Sequence, residues 1–461
     1  MIERSQAVVL AAGQGTRMQS RLPKSLHLLA GRPIVAYGVA AASDAAGTVP
    51  IVVVAPEHAA AVAAAVGDTA ILVPQPVARG TADALRSVPE RLRGRGRVLV
   101  LSGDVPLVRP ATLARLLDAH EETGAACTLL VVDPADPTGL GRVELDGEGR
   151  AVRVVEERDL PAGAPPARLC NAGVYVFDAA GLWPALDGVG SDNAQGELYL
   201  TDVVAALAPA TVVVAEDARE ALGVNDRRQL AAAEAVVRER VVESLLLAGV
   251  TVEDPATTYV DATVRVGRDT VIRPMTTLRG ATVLGEACEI GPMAQLRDVH
   301  AGDRVRVGAS ALDGCELGDD VEVGQYARIR PHSRLAAGVY VGTHAEIKNS
   351  SLGAGTHVSH FSCVLDSDVG RDVNISAGAV TCNYDGYEKT RVVIEDSVFV
   401  GSDCMLVAPV RLGEGAYIGA GSVITKDVPA GALAVERAEQ HVVAGWAKRR
   451  RDRALATRRG A

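Results

Sequence analysis

The chain has 461 residues, of which 48% are apolar but only 3% aromatic, with 47 Gly and a formal net charge of −10. That length exceeds one compact core, so two domains are expected, built on Val, Ile, Leu and Ala. The negative balance speaks against general nucleic-acid or membrane-surface binding, and seven Cys without a CxxC pair read as reduced thiols of a cytoplasmic protein.

Residues 1–225 alternate apolar runs with helical patterns. AVVL (7–10), IVVVA (51–55), RVLVL (97–101) and CTLLVV (127–132) read as buried strands. PIVAYGVAAAS (33–43), EHAAAVAAAV (57–66) and TADALRSVPERL (81–92) read as helices. This alternation predicts a mainly parallel sheet with helices on both faces and ligands at the carboxyl ends of the strands. Residues 226–249 have helical composition without internal Gly or Pro and stop at Gly249, predicting one helix that joins two domains. From 250 to 461 the period changes to six. Val266, Ile272, Leu278, Leu284, Ile290 and Leu296 hold one register, as do Leu317 to Ile347 and Val400 to Ile424, many followed by Gly. Six residues per strand and corner predict a triangular parallel β-helix with its aliphatic column inside. The period breaks around TCNYDGYEKTRV (381–392), and an insertion that interrupts a repeat is a functional candidate. The basic tail from Lys448 to Arg459 reads as disordered and solvated. No apolar run is long enough to cross a bilayer, and MIERSQAVVLAAG shows no secretion signal.

Three stretches carry chemistry. After the first strand, LAAGQGTRM (10–18) brings Gly13 and Gly15 to a tight turn whose N–H groups can face phosphate, with Arg17 and Lys24 as countercharge. At the end of a later strand, SGDVPL (102–107) puts Asp104 where a carboxylate could share Mg²⁺ with a triphosphate, and Gln75, Gly80 and Thr81 could read a base edge. In the repeat region, VGTHAEIKNSSLGAGTHVSHFSCVLDSDVGRDVNISAGAVTCNYDGYEK (341–389) holds Lys348, His360, Asn374, Asn383 and Tyr384, a polar set that folding does not require. An imidazole titrates near working pH, which makes His360 the natural general base of this set.

The order and spacing of these motifs, with GLGR (139–142), VEE (155–157), NAG (171–173), NAQGELYLTD (193–202) and GVND (223–226), resemble the bifunctional N-acetylglucosamine-1-phosphate uridylyltransferase/glucosamine-1-phosphate acetyltransferase family (GlmU) over nearly the whole chain. The resemblance implies an α/β nucleotidyltransferase (Rossmann-like) domain, a helix, and a left-handed parallel β-helix that forms a homotrimer. It implies acetylation of glucosamine-1-phosphate by acetyl-CoA and then transfer of UMP from UTP to N-acetylglucosamine-1-phosphate. Leu10, Gly13, Arg17 and Lys24 would hold the triphosphate, and Gln75, Gly80 and Thr81 the uracil. Gly141, Glu156 and Asn171 would grip the sugar, and Asp104 and Asn225 the Mg²⁺. In the repeat domain His360 would be the base, and Arg330 and Lys348 would bind the sugar phosphate. Asn374, with Asn383 and Tyr384, would orient the sugar and His360. Acetyl-CoA would meet Ala377, Asn383, Tyr384, Ser402 and Ala420, with Arg437 near its phosphates.

Four residues depart from the family pattern: Gln14 for Lys, Cys363 for Tyr, His332 for Gly and Ser376 for Gly. Cys363 reads as a buried filler rather than a nucleophile. Alternatives are a one-activity sugar-1-phosphate nucleotidyltransferase with a non-catalytic prism, a translation-initiation-factor scaffold subunit, and a metal-dependent hydratase using His344, His357 and His360.

Overall fold

A computed structural model describes residues 5–13, 15–161 and 168–459. Gln14 lies outside them. The chain divides into two compact units: one runs to Ser244 and includes Tyr259–Val264, and the other holds Leu245–Thr258 and the chain from Arg265 on.

The first unit is built on a mixed sheet of strands β1 (Gln6–Leu10), β2 (Ile51–Val54), β3 (Ile71–Pro74), β4 (Arg97–Ser102), β5 (Cys127–Val132), β6 (Arg142–Leu145), β7 (Ala151–Val155), β8 (Cys170–Asp178) and β9 (Thr211–Val214). Its order is β9-β5-β8-β4-β1-β2-β3, with β6 paired to β8 and β7 paired to β6. β1 pairs in parallel with β2 and β4, whereas β8 runs antiparallel between β4 and β5. Side chains alternate between two cores, as a strand's period of two requires. Val8 and Leu10 enter one, and Ala7 and Val9 the other. Helices cover both faces: α1 (Ile34–Ala46), α2 (Ala59–Val66) and α4 (Pro110–Thr123) on one, α3 (Thr81–Arg86), α5 (Ala179–Asp187) and α6 (Thr201–Ala206) on the other. The helix expected over 81–92 stops at Arg86 and resumes only as a 3-10 turn at Glu90–Leu92, because Pro89 has no N–H to continue it. Helix α7 (Arg227–Leu247) packs Ala233, Val236 and Val237 against Leu29, Ile34 and Val224.

The second unit is a parallel β-helix. Among the described residues its strands stack into three parallel sheets, each strand pairing with the third one along the chain except at the end, where Tyr417–Ile418 pairs with Leu433–Ala434, two strands on. One sheet carries Val341, Val358, Ile375, Val400 and Ile418 in register. Inward aliphatics such as Ile347, Val358, Val364 and Val400 are fully buried. The gaps between the six-residue runs have a physical cause. At one corner the step shortens to five, and Asp298, Asn349 and Asp366 there take positive φ of 52°, 46° and 46°, a conformation that Asn and Asp tolerate best after Gly. The tail expected to be disordered forms helix α8 (Trp446–Arg459), as its Arg and Ala content favours. Its described side chains are exposed. Among the described residues no helix is long and apolar enough to cross a membrane.

Candidate functional site

In the first unit the carboxyl ends of β1 and β4 open onto a cleft of about 460 Å³ lined by Leu10, Gly13, Gly15, Arg17, Lys24, Gln75, Gly80, Thr81, Asp104 and Asn225. Three distant segments meet at one cation. Lys24 Nζ donates to Asp104 Oδ2 at 2.7 Å and to Asn225 Oδ1 at 3.0 Å, and Arg17 Nη2 reaches the same Asn225 oxygen at 3.3 Å. Backbone bonds fix this meeting point: Val224 N donates to Asp104 O at 2.8 Å and Gly103 N to Leu10 O at 2.9 Å. Gly15 holds φ +61°, and a Cβ there would lie 2.6 Å from Lys24 Cβ. Gly80 holds φ +117°, and its Cβ would lie 2.4 Å from Leu198 O, so only glycine lets these segments approach.

The expected sugar residues form a second cluster. Asn171 N donates to Gly141 O at 2.9 Å, and a side chain on Gly141 would come within 3.4 Å of Glu156 Oε2. Asn171 Nδ2 donates to the Tyr175 hydroxyl at 2.6 Å, and its Oδ1 accepts from Gly173 N at 3.1 Å. Burial pushes the Glu156 carboxyl above its ordinary range, against a hydrogen bond from Thr201. Thr81 Oγ1 accepts from Leu200 N, next to Thr201. Sequence reading missed Tyr175 and gave Gly103 and Thr201, though they lie inside motifs it singled out, no role of their own; all three act on the site through contacts the fold creates.

In the β-helix one corner carries an unbroken column. Gly378 N donates to His360 O at 3.2 Å, Asp403 N to Ala377 O at 2.9 Å and Gly421 N to Ser402 O at 2.8 Å. Arg437 Nη1 closes the column on Ala420 O at 3.0 Å. Thus His360, Ala377, Ser402, Ala420 and Arg437 share one edge. Above His360 the same edge is bulky. Tyr326, His344 and Phe361 stack at 5.1 and 5.2 Å, and Phe361 meets the His360 ring edge-on at 5.7 Å. Below it the corner residues are Ala377–Gly378, Ser402–Asp403 and Ala420–Gly421, with no ring among them.

The opposite edge of the adjoining face holds the cationic group. Arg330 Nη1 pairs with Glu346 Oε1 at 2.9 Å. Asn349 and Asn383 both donate to Asp366. Burial alone would raise the Asp366 carboxyl, but those two bonds and the charges of Lys348 and Lys389 hold it below the usual range. Lys389 beside Lys348 lowers the Lys348 ammonium. The period-breaking loop starts here, with Thr390 N donating to Asn383 O at 2.9 Å and Tyr384 exposed. Between the two edges lie the paired residues Glu346 and Cys363.

Cys363 is half-buried on the outward side of its strand, so it is not the buried filler that the sequence suggested: its strand position points it away from the aliphatic column. Burial raises its thiol, and Glu346 adds to this, which leaves little thiolate. His332 has φ +65°, the conformation glycine takes most easily. Ser376 Oγ accepts from Asn374 Nδ2 at 2.9 Å, so this departure orients a proposed site residue. His344 is held in the aromatic stack and His357 lies against Tyr340 at 5.7 Å. Among the described residues no group of three or more His, Cys, Asp or Glu could hold a metal.

Residues 7–167 match the model of the MobA-like NTP transferase domain, and residues 391–426 match six repeats of the bacterial transferase hexapeptide, the repeat of left-handed β-helices. The chain is 50% identical over 97% of its length to the bifunctional protein GlmU of Pelotomaculum thermopropionicum, covering 99% of that protein. It is 46% identical to that of Heliobacterium modesticaldum (95% and 96% covered) and 43% identical to that of Streptomyces avermitilis (98% and 95%). With both matched domains and near-complete coverage at this identity, the chain belongs to the bifunctional GlmU family.

Proposed function

We propose that this chain makes UDP-N-acetylglucosamine in two steps: acetylation of glucosamine-1-phosphate in the β-helix, then uridylyl transfer in the first unit. The observation that carries the reading is the convergence of Arg17, Lys24, Asp104 and Asn225 on one point of a glycine-walled cleft. Arg17 and Lys24 neutralise the triphosphate while the sugar 1-phosphate, held near Gly141, Glu156 and Asn171, attacks the α-phosphorus in line and pyrophosphate leaves. Asp104 and Asn225 fit Mg²⁺: their oxygens already meet on one cation, Lys24, and such an ion takes one or two protein oxygens and completes its shell with phosphate. When bound, Mg²⁺ would offset charge on the phosphates. Gln75, Gly80 and Thr81 line the same cleft as the base subsite.

In the β-helix, His360 takes a proton from the sugar amine as nitrogen attacks the thioester carbon, and coenzyme A leaves as the thiol. Lys348 and Arg330 hold the sugar phosphate across the face, and Asn374 and the Asn383–Tyr384 loop orient the sugar. Acetyl-CoA lies along the small-residue edge of Ala377, Ser402 and Ala420 towards Arg437. The bulky part of that edge suits packing against further copies of the chain as a homotrimer: Met275, Met293, Tyr326 and Phe361 are 55%, 45%, 56% and 62% exposed, more apolar surface than a lone corner needs. The seven free thiols fit a cytoplasmic setting.

The test is incubation with UTP, Mg²⁺, acetyl-CoA and glucosamine-1-phosphate, following UDP-sugar by mass and CoA release by thiol titration. Both products are expected. CoA release no higher than that of His360→Ala leaves only the one-activity reading, and sedimentation as a monomer at micromolar concentration refutes a trimer.

A further inference from the structure

Behind the cleft lining lies a buried carboxyl group that the reaction above does not use. Asp83 sits in α3, 5% exposed, and Gln75 at the end of β3 is 3% exposed. Gln75 Nε2 donates to Asp83 Oδ2 at 2.9 Å and to Gly80 O at 3.3 Å. The other carboxyl oxygen, Oδ1, accepts from Arg79 Nη2 at 2.8 Å. Both neighbours of the Gln75 amide nitrogen are acceptors, so the amide has only one satisfied orientation. Its NH₂ is spent inside the protein, and Oε1 is the end left for the cleft that Gln75 lines.

We infer that Asp83 is a positioning residue for base choice: by holding the Gln75 amide it presents an acceptor, and only an acceptor, to the nucleobase. The inference rests on the base subsite proposed above. Uracil offers acceptor, donor, acceptor along O2, N3–H and O4. Cytosine has a bare N3 in the middle and an amino group beside it. An oxygen fixed opposite N3 accepts from uracil and meets a lone pair on cytosine. Arg79, drawing on the second oxygen, keeps the Asp83 carboxyl turned in one sense, so the selectivity is set two contacts away from the base.

Asp83→Asn conserves shape but adds a donor, which lets Gln75 turn and present its NH₂. The experiment measures kcat/KM for UTP and CTP at saturating N-acetylglucosamine-1-phosphate. We expect the UTP preference to fall about tenfold or more, with KM for the sugar phosphate unchanged. In a Gln75→Met background the Asp83→Asn change is expected to leave the preference where Gln75→Met alone put it. A uniform loss on both nucleotides, an unchanged preference, or a shift that persists in the Gln75→Met background overturns the inference. A wild-type chain that forms no UDP-sugar overturns the uridylyl-transfer reading itself, and this inference with it; an active wild type with an unresponsive Asp83→Asn overturns this inference alone.

Discussion

Gly15→Ala isolates the geometry of the nucleotide cleft. Alanine at φ +61° is strained by about 1–2 kcal/mol, and its Cβ would stand 2.6 Å from Lys24 Cβ. Carbon atoms in ordinary contact are about 3.5–4.0 Å apart, so one of the two segments must retreat by about 1 Å. Because Lys24 Nζ is the atom on which Asp104 and Asn225 meet, that retreat dislocates the charge cluster. A misplacement of about 1 Å can cost about 10²-fold in rate. The assay is kcat/KM for UDP-sugar formation beside CoA release from the other unit, and a melting curve in which a loss of about 1–2 kcal/mol lowers the midpoint by about 2–8 °C. Uridylyl transfer should fall about a hundredfold while CoA release stays at wild-type rate. Uridylyl transfer within threefold of wild type, or parallel loss of both activities, refutes the reasoning.

Other substitutions separate the sites further. His360→Ala should lower CoA release about 10²–10⁴-fold and leave uridylyl transfer intact, measured in the same preparation. Glu156→Gln should cut uridylyl transfer. Because burial raises the Glu156 carboxyl, the folded chain binds its proton more tightly than the unfolded one, and stability falls as pH rises from the ordinary carboxylate value through the raised one. The Gln variant should therefore melt no lower than wild type at neutral pH, checked by calorimetry between acid and neutral conditions. Asp366→Asn has the opposite sign. The native carboxyl is held low, so its contribution is present above the ordinary aspartate range and disappears as pH falls through the lowered value. The variant should lose stability at neutral pH, converge with wild type in acid, and raise KM for the amino sugar by freeing the loop at Asn383.

The nucleotide cleft was legible because its residues sit at strand ends, where a one-dimensional pattern already tells where the chain turns. The parallel core was legible for the same reason, but β8 was not. Nothing in CNAGVYVFD marks it as running antiparallel between β4 and β5, since a buried central strand is apolar in either direction. The extent of each compact unit also escaped periodicity: Tyr259–Val264 groups with the first unit, where Ala262 N bonds Ala30 O at 2.8 Å. In the β-helix, Ala377, Ser402 and Ala420 occupy equal places after an inward aliphatic residue, so register alone aligns them with His360. Asp366 and Asp83 stayed invisible, because each matters through partners brought near by a turn of the chain rather than by spacing.

The edge below His360 also measures distance. Each coil advances by one strand spacing, about 4.8 Å, so the three steps from His360 to Ala420 mark off about 14 Å with little freedom to stretch. The loop at 383–391 swells out of one coil, yet Ile375 still pairs with Val400, so the added chain does not lengthen the scale. An extended thioester arm laid along this edge would have its reacting end and its phosphate end fixed by counting coils. Duplicating the coil between Ala377 and Ser402 would move Arg437 one notch from His360, a shift no side-chain adjustment within the column could take back.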